Sequence, residues 1–147
     1  MRRAAAVLLA VAAWTLALAC APKGDPVRAS LDAIVKAANA RDADRVFAHV
    51  SASFQAADGS GLADAKAMVG QYFSAYEILT VTIRDVQIER GEGAARVRLR
   101  AGMSGQPRQV GGLSGLLPTA SAYDFDLRLT LDDGEWKVAW AQWTPVS

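Results

Sequence analysis

Cysteine and histidine are almost absent from this chain of 147 residues, which holds one of each, Cys20 and His49. A disulfide framework and a structural zinc site are therefore excluded, because both need several such side chains. An excess of charge is missing too: 16 Lys and Arg stand against 15 Asp and Glu, so electrostatics make no case for nucleic acid as a partner. With 52% hydrophobic and 21% charged residues, the composition is not that of a disordered chain. The uncharged run from Ala4 to Ala19 has 16 residues, short of the roughly 20 that a bilayer-spanning helix needs. What remains is a single small domain behind an N-terminal targeting segment.

That segment opens with Arg2-Arg3, continues through the uncharged run and reaches the only cysteine at Cys20, the layout of a signal peptide. The flank Ala21-Pro22-Lys23-Gly24-Asp25-Pro26 breaks a helix and serves as a tether, so a permanent transmembrane helix is the weaker reading. Leu16-Ala17-Leu18-Ala19-Cys20 resembles the lipobox of bacterial lipoproteins, with Ala17 standing where that family usually has Leu. The resemblance implies removal of residues 1–19, lipidation of Cys20, a tether over residues 20–25 and a domain over 26–147. Acyl chains on Cys20 contribute about 0.8 kcal/mol per buried methylene, so two or three of them anchor a protein stably. The partner implied is the membrane itself, reached through lipid. Ala21 lacks the inner-membrane retention Asp of some enteric lipoproteins, which implies an outer-membrane, periplasm-facing location in an organism with two membranes and the cell surface otherwise. Loss of two arginines leaves 14 basic against 15 acidic side chains in the mature chain.

Asp25 as a cap, Pro26 at the first helical position and the stripe Val27, Leu31, Ile34, Val35, Ala38 predict a first helix. Asp42 followed by Ala43, Val46, Phe47 and Val50 predicts a short second one, and Leu62, Ala65, Val69, Tyr72, Phe73 and Tyr76 a third. Three helices are thus expected before any strand. The period then drops to two. Leu79, Val81 and Ile83 alternate with polar residues, and the phase slips at Arg84-Asp85, as a β-bulge would cause. Val97, Leu99 and Ala101 mark a second strand after the Gly91-Glu92-Gly93 turn, and a loop is expected from Gly102 to Ala122. Phe125 to Leu131, the turn Asp132-Asp133-Gly134, and Trp136, Val138 and Trp140 form a hairpin.

Helices first and then antiparallel strands is an α+β order, with three helices packed on a curved sheet of about four long strands. That order, with Asp42-Ala43-Asp44 opening the second helix and Gly134-Glu135-Trp136-Lys137-Val138 starting the last strand, resembles the nuclear transport factor two-like superfamily, which includes ketosteroid isomerases and polyketide cyclases. The resemblance implies a cystatin-like cone enclosing a pocket, and would point Phe47, Phe54, Tyr72, Tyr76, Trp136 and Trp140 inward as ligand-binding residues. The alternative for the same six aromatics is a filled core.

Residues for chemistry are sparse. The isomerase branch needs a carboxylate base and an oxyanion donor in an apolar pocket. Asp85 at the bulge with Tyr72 or Tyr76 is the nearest substitute, while a solvated Asp85 beside Arg84 is the simpler reading. His49 falls with Arg45 on the polar side of the second helix and lacks a partner for catalysis. Arg96, Arg98 and Arg100 share one strand face and Asp124, Asp126 and Arg128 share another, so opposite charges can meet across the sheet; the alternative is a site for an anionic partner. Gly111 to Pro118 carries three leucines among glycines but no P-loop Lys, and reads as a lid, a partner contact or leucines tucked on the sheet edge. These residues indicate no catalytic set, cofactor or metal. The reading they favour is an anchored lipoprotein, monomeric by preference, whose domain binds a small apolar ligand or an envelope protein without catalysis. An isomerase- or cyclase-like enzyme and an envelope assembly protein that pairs sheet to sheet are the alternatives.

Overall fold

The computed structural model describes residues 24–108 and 120–147. Chain order is α1 (Pro26–Asn39), α2 (Ala43–Phe47), β1 (Val50–Ala56), α3 (Leu62–Ala75), β2 (Tyr76–Arg90), β3 (Ala94–Pro107), β4 (Ala120–Asp132) and β5 (Glu135–Pro145). The strands form one sheet in the order β1-β5-β4-β3-β2, antiparallel except for the parallel pair β1 and β5.

α1 begins where a cap and a proline predict it. The Asp25 carboxylate accepts a hydrogen bond from the Val27 N–H at 2.8 Å and holds an ion pair with Arg90 at the far end of β2. Its buried face, Val27, Leu31 and Ala37, lies on the sheet. The other end is fixed by Asn39, whose side-chain amide donates to the Val81 carbonyl at 3.1 Å and whose oxygen accepts from the Val81 N–H. Arg41 then donates to the Tyr76 carbonyl at 2.6 Å. α1 therefore runs antiparallel to β2, and its C-terminal side chains occupy part of an edge that would otherwise be open to another strand.

Two expectations are corrected. α2 ends at Phe47, and Val50 opens β1, so a strand intervenes before the third helix and the sheet has five strands. The alternation of Val50, Phe54 and Ala56 is too short to stand out, and what makes the segment a strand is its pairing with β5, residues distant in the chain. His49 consequently sits in the turn after α2, where its carbonyl accepts the Val138 N–H. The expected loop from Gly102 to Ala122 is also shorter, because β3 runs on to Pro107 and β4 starts at Ala120. The leucine-bearing segment from Gly111 to Pro118 lies outside the described residues.

Other expectations match. The hairpin turns through Asp133 and Gly134 with φ of 50° and 79°, the pair of left-handed residues that a two-residue turn between twisted strands demands. The bulge falls between Arg84 and Gln87, with Asp85 at φ 54°. A β-branched residue tolerates that conformation poorly, so Asp85→Val is expected to lower stability by about 1–2 kcal/mol, with Asp85→Gly neutral or slightly stabilising. Urea midpoints of the two variants check this.

The core is filled at the end of the domain that holds the β2–β3 and β4–β5 turns. Val27, Val97 and Leu129 are the most deeply enclosed side chains, with Ala95, Leu127, Trp136 and Val138 around them. Beneath α3 the packing of the described residues is looser, and no residue of α3 is fully buried although Leu62, Ala65, Met68, Val69, Tyr72 and Phe73 are apolar or aromatic.

Candidate functional site

The open packing under α3 is a cavity of about 290 Å³, lined by Ala38, Val46, Met68, Val69, Tyr72, Phe73, Leu79, Val81, Met103, Tyr123, Phe125, Ala141 and Trp143. A second space of about 190 Å³ continues beneath α1, between Leu31, Ile34, Val35 and the inner face of the sheet, and shares Ala38, Val81, Met103 and Phe125 with the first. Both are almost wholly apolar. Among the described residues, only Tyr72, Tyr123 and Trp143, with its indole N–H, bring hydrogen-bonding side-chain atoms to the lining. This is the composition of a small-molecule pocket: apolar walls and very few polar groups to orient what enters.

The walls follow from strand parity. Val97, Leu99, Ala101 and Met103 of β3 and Phe125, Leu127 and Leu129 of β4 share the inner face, and their register neighbours on β2 and β5 extend it. Phe125 makes a tilted contact with Trp143, centroids 6.2 Å apart, and an edge-on contact with Tyr123 at 6.5 Å, and the three rings form an aromatic wall of the cavity. Tyr76 lies behind the wall, 2% exposed, with its ring stacked on Tyr72 at 4.9 Å. Burial first, and then the neighbouring Tyr72 hydroxyl, push its phenol up to about 12, so it stays protonated at any physiological pH.

Of the six aromatics expected to face a pocket, Tyr72 lines it and Tyr76 supports it. Phe54 and Trp136 belong to the filled core at 7% and 8% exposure, and the Arg90 guanidinium covers the Trp136 ring at 5.7 Å. Phe47 lies under the Lys66 ammonium, 5.8 Å from the ring centroid, outside the cavity lining. Trp140 is corrected outright: it stands on the outer face of the sheet, where the Arg128 guanidinium covers it at 4.6 Å. The cause is a register shift at Ala139. Arg128 pairs with Trp140 while Leu129 pairs with Val138, so the inward positions pass from Trp136 and Val138 to Ala141 and Trp143. The polar Gln142 between Ala141 and Trp143 is the one local sign of that phase change.

Asp85 also lies away from the cavity. It is exposed on the outer face, where it borders a shallow trough of about 490 Å³ with Gln87, Arg98, Arg100, Asp124, Asp126, Gln142 and Thr144. The sheet separates it from Tyr72 and Tyr76, so Asp85 and these tyrosines do not come together as the isomerase-like reading expects.

The outer trough is larger than either inner space, but both of its β4 carboxylates are already paired with arginines. Arg96 makes a bidentate pair with Asp126 at 3.1 and 2.7 Å, and Arg100 with Asp124 at 2.7 and 3.0 Å. Hydrogen bonds from these guanidinium groups hold both carboxyls below the usual carboxylate range. A carboxyl whose pKa is lower in the folded state stabilises the fold above its unfolded value of about 4, and that contribution disappears as pH falls through the folded value. The melting temperature is therefore expected to fall more steeply below about pH 4 in the native chain than in Asp124→Asn/Asp126→Asn, as thermal scans across that range would record.

Comparison with known proteins decides the fold. A protein of the NTF2-like family from Streptomyces avermitilis superposes with a TM-score of 0.69 at 12% identity, over 83% of this chain and 95% of that one. The fold is NTF2-like. A cystatin-like protein of unknown function from Nostoc punctiforme aligns with a TM-score of 0.63 at 10% identity, over 82% of this chain and 89% of that one. Bd1075 of Bdellovibrio bacteriovorus aligns with a TM-score of 0.65 at 13% identity over 80% of this chain, which spans only 38% of that longer protein. No family model and no curated protein matches the sequence. The NTF2-like fold accounts for the cone of helices over a bent sheet, while the chemistry of the cavity belongs to this chain's own residues.

Proposed function

We propose that this protein is a bacterial lipoprotein, anchored through lipid on Cys20, whose NTF2-like domain holds a small apolar ligand without transforming it. The observation that carries the binding reading is the pair of adjoining apolar spaces behind Tyr72, Phe73, Tyr123 and Trp143, with no carboxylate, imidazole or amine among the described residues of their lining. Such a lining favours a neutral ligand with at most one or two polar groups, oriented by the Tyr72 and Tyr123 hydroxyls. Acid–base chemistry would need an ionisable group within hydrogen-bond reach of the ligand. The anchor reading rests on the lipobox-like residues before Cys20.

Two measurements separate the halves of this proposal. Fluorescence of N-phenyl-1-naphthylamine titrated into the purified protein is expected to show one saturable site that Val69→Trp, which fills part of the cavity, weakens by about tenfold, the loss expected for roughly 1.4 kcal/mol of binding. Equal binding by the native chain and the filled variant would remove the ligand site. For the anchor, Cys20→Ser is expected to move the protein from the membrane to the soluble fraction; unchanged partitioning would refute lipidation.

A further inference from the structure

We infer that the ligand has two chemically different parts: an uncharged ring bearing a hydrogen-bonding group, held in the space under α3, and an aliphatic arm of about six carbons, held in the space under α1. This rests on the binding reading above and names the chemical class that the same cavity selects.

The two spaces differ in what their walls offer. Over the second lies the α1 stripe Leu31, Ile34, Val35 and Ala38, spaced to put all four on one helical face, and beneath it lie apolar residues of the strands. Among its described lining residues Phe125 is the only aromatic, and no side chain carries a nitrogen or an oxygen. The backbone gives no partner at the junction either, because the N–H and carbonyl of Val81 are both taken by Asn39. A polar substituent placed there would lose its water and gain nothing in exchange, so the part of the ligand under α1 is hydrocarbon. The first space instead presents five rings, Tyr72, Phe73, Tyr123, Phe125 and Trp143, and with them every hydrogen-bonding side-chain atom in the described lining of either space. Stacked and edge-on contacts with these walls favour a ring over a chain, and the two phenols and the indole N–H supply partners for its polar group.

One molecule can occupy both spaces because they share walls at Ala38, Val81, Met103 and Phe125. At that junction Ala38 contributes a single methyl group, and the unbranched Met103 side chain adapts its rotamer to what passes beside it. The length of the arm follows from volume: about 190 Å³, at roughly the 30 Å³ that a water or a similar-sized methylene takes, is room for about six carbons. Charge sets the other limit. Neither space has a carboxylate, ammonium, guanidinium or imidazole among the described residues of its lining, and residues 109–119, which lie outside them, contain no Asp, Glu, Lys, Arg or His. An ionised head would be desolvated without a counter-charge, which separates this class of ligand from fatty acids and other alkyl carboxylates.

The test displaces N-phenyl-1-naphthylamine from the purified protein with 4-alkylphenols, from phenol itself to 4-decylphenol, each corrected with a protein-free sample. Affinity is expected to rise about two- to fourfold per methylene as far as about six carbons and then to level off. 4-Hexylbenzoate is expected to bind about tenfold or more weakly than 4-hexylphenol. Val35→Phe, which puts a ring into the second space, is expected to flatten the rise with chain length. Tyr72→Phe/Tyr123→Phe is expected to weaken every member of the series about two- to tenfold, the loss that goes with hydrogen bonds to the head. Three results overturn the inference while a saturable naphthylamine site keeps the binding reading: no gain with chain length, a gain that continues unbroken to decylphenol as unconfined partition gives, or benzoate binding as tightly as phenol. Absence of any saturable naphthylamine site removes the binding reading and this inference with it. The series on the native chain decides between these results even where a variant fails to fold.

Discussion

Leu129→Ala is expected to destabilise the domain by about 2–5 kcal/mol, the range for emptying a leucine site that cannot collapse. Leu129 is 1% exposed on β4, the central strand, and is flanked in register by Ala95 on β3 and Val138 on β5 with Val27 of α1 in the same cluster. Every direction in which neighbours might relax is already occupied by regular structure. Met103→Ala supplies the contrast. Met103 is on the same face but borders both inner spaces, so much of its side chain has no protein atoms opposite it, and the cost is expected to stay below about 2 kcal/mol. Urea unfolding of both variants measures the difference. Similar losses at the two sites would mean that the space beside Met103 is closed in solution, which would remove the basis for a ligand cavity.

That contrast also marks how far local sequence reaches. α1, the bulge at Asp85 and the β4–β5 hairpin are each specified by residues within a few positions: a cap and a proline, a slip in alternation, and an Asp-Gly turn. The facing of Arg96 and Arg100 against Asp126 and Asp124 is likewise readable, because period two puts each set on one face. β1 is not readable in this way, since its seven residues become a strand through parallel pairing with the end of the chain. The site suffers from the same limit. Trp140 and Trp143 are both aromatic residues on one strand, and which of them faces inward is decided by the extra residue at Ala139, a feature of the pairing between β4 and β5. Phe54 and Trp136 face inward as expected but at the filled end, because their distance along the cone depends on strand registers that no local pattern encodes.

Gly105 sits at the point where register and cavity meet, and Gly105→Ala is expected to cost about 1–3 kcal/mol and to weaken ligand binding as well. Opposite it on β2 the pairing is irregular between Tyr76 and Ile78, which brings the Ile78 backbone close to the glycine. A Cβ there would collide with the Ile78 carbonyl oxygen and would come within 3.0 Å of the Tyr76 ring. Backbone cannot turn aside as a side-chain tip can, so the start of β2 has to move. That segment carries Tyr76, which supports Tyr72 by stacking, and Leu79, which lines the cavity. Gly102→Ala is the matched control on the same strand: its Cβ would meet only the Thr82 Oγ1 at 3.2 Å, a side-chain atom free to rotate. Urea midpoints and naphthylamine titration of the pair are expected to show both stability and binding impaired at position 105 and little change at 102. Loss of stability without loss of binding at position 105 would separate the start of β2 from the ligand and place it in the second space, under α1.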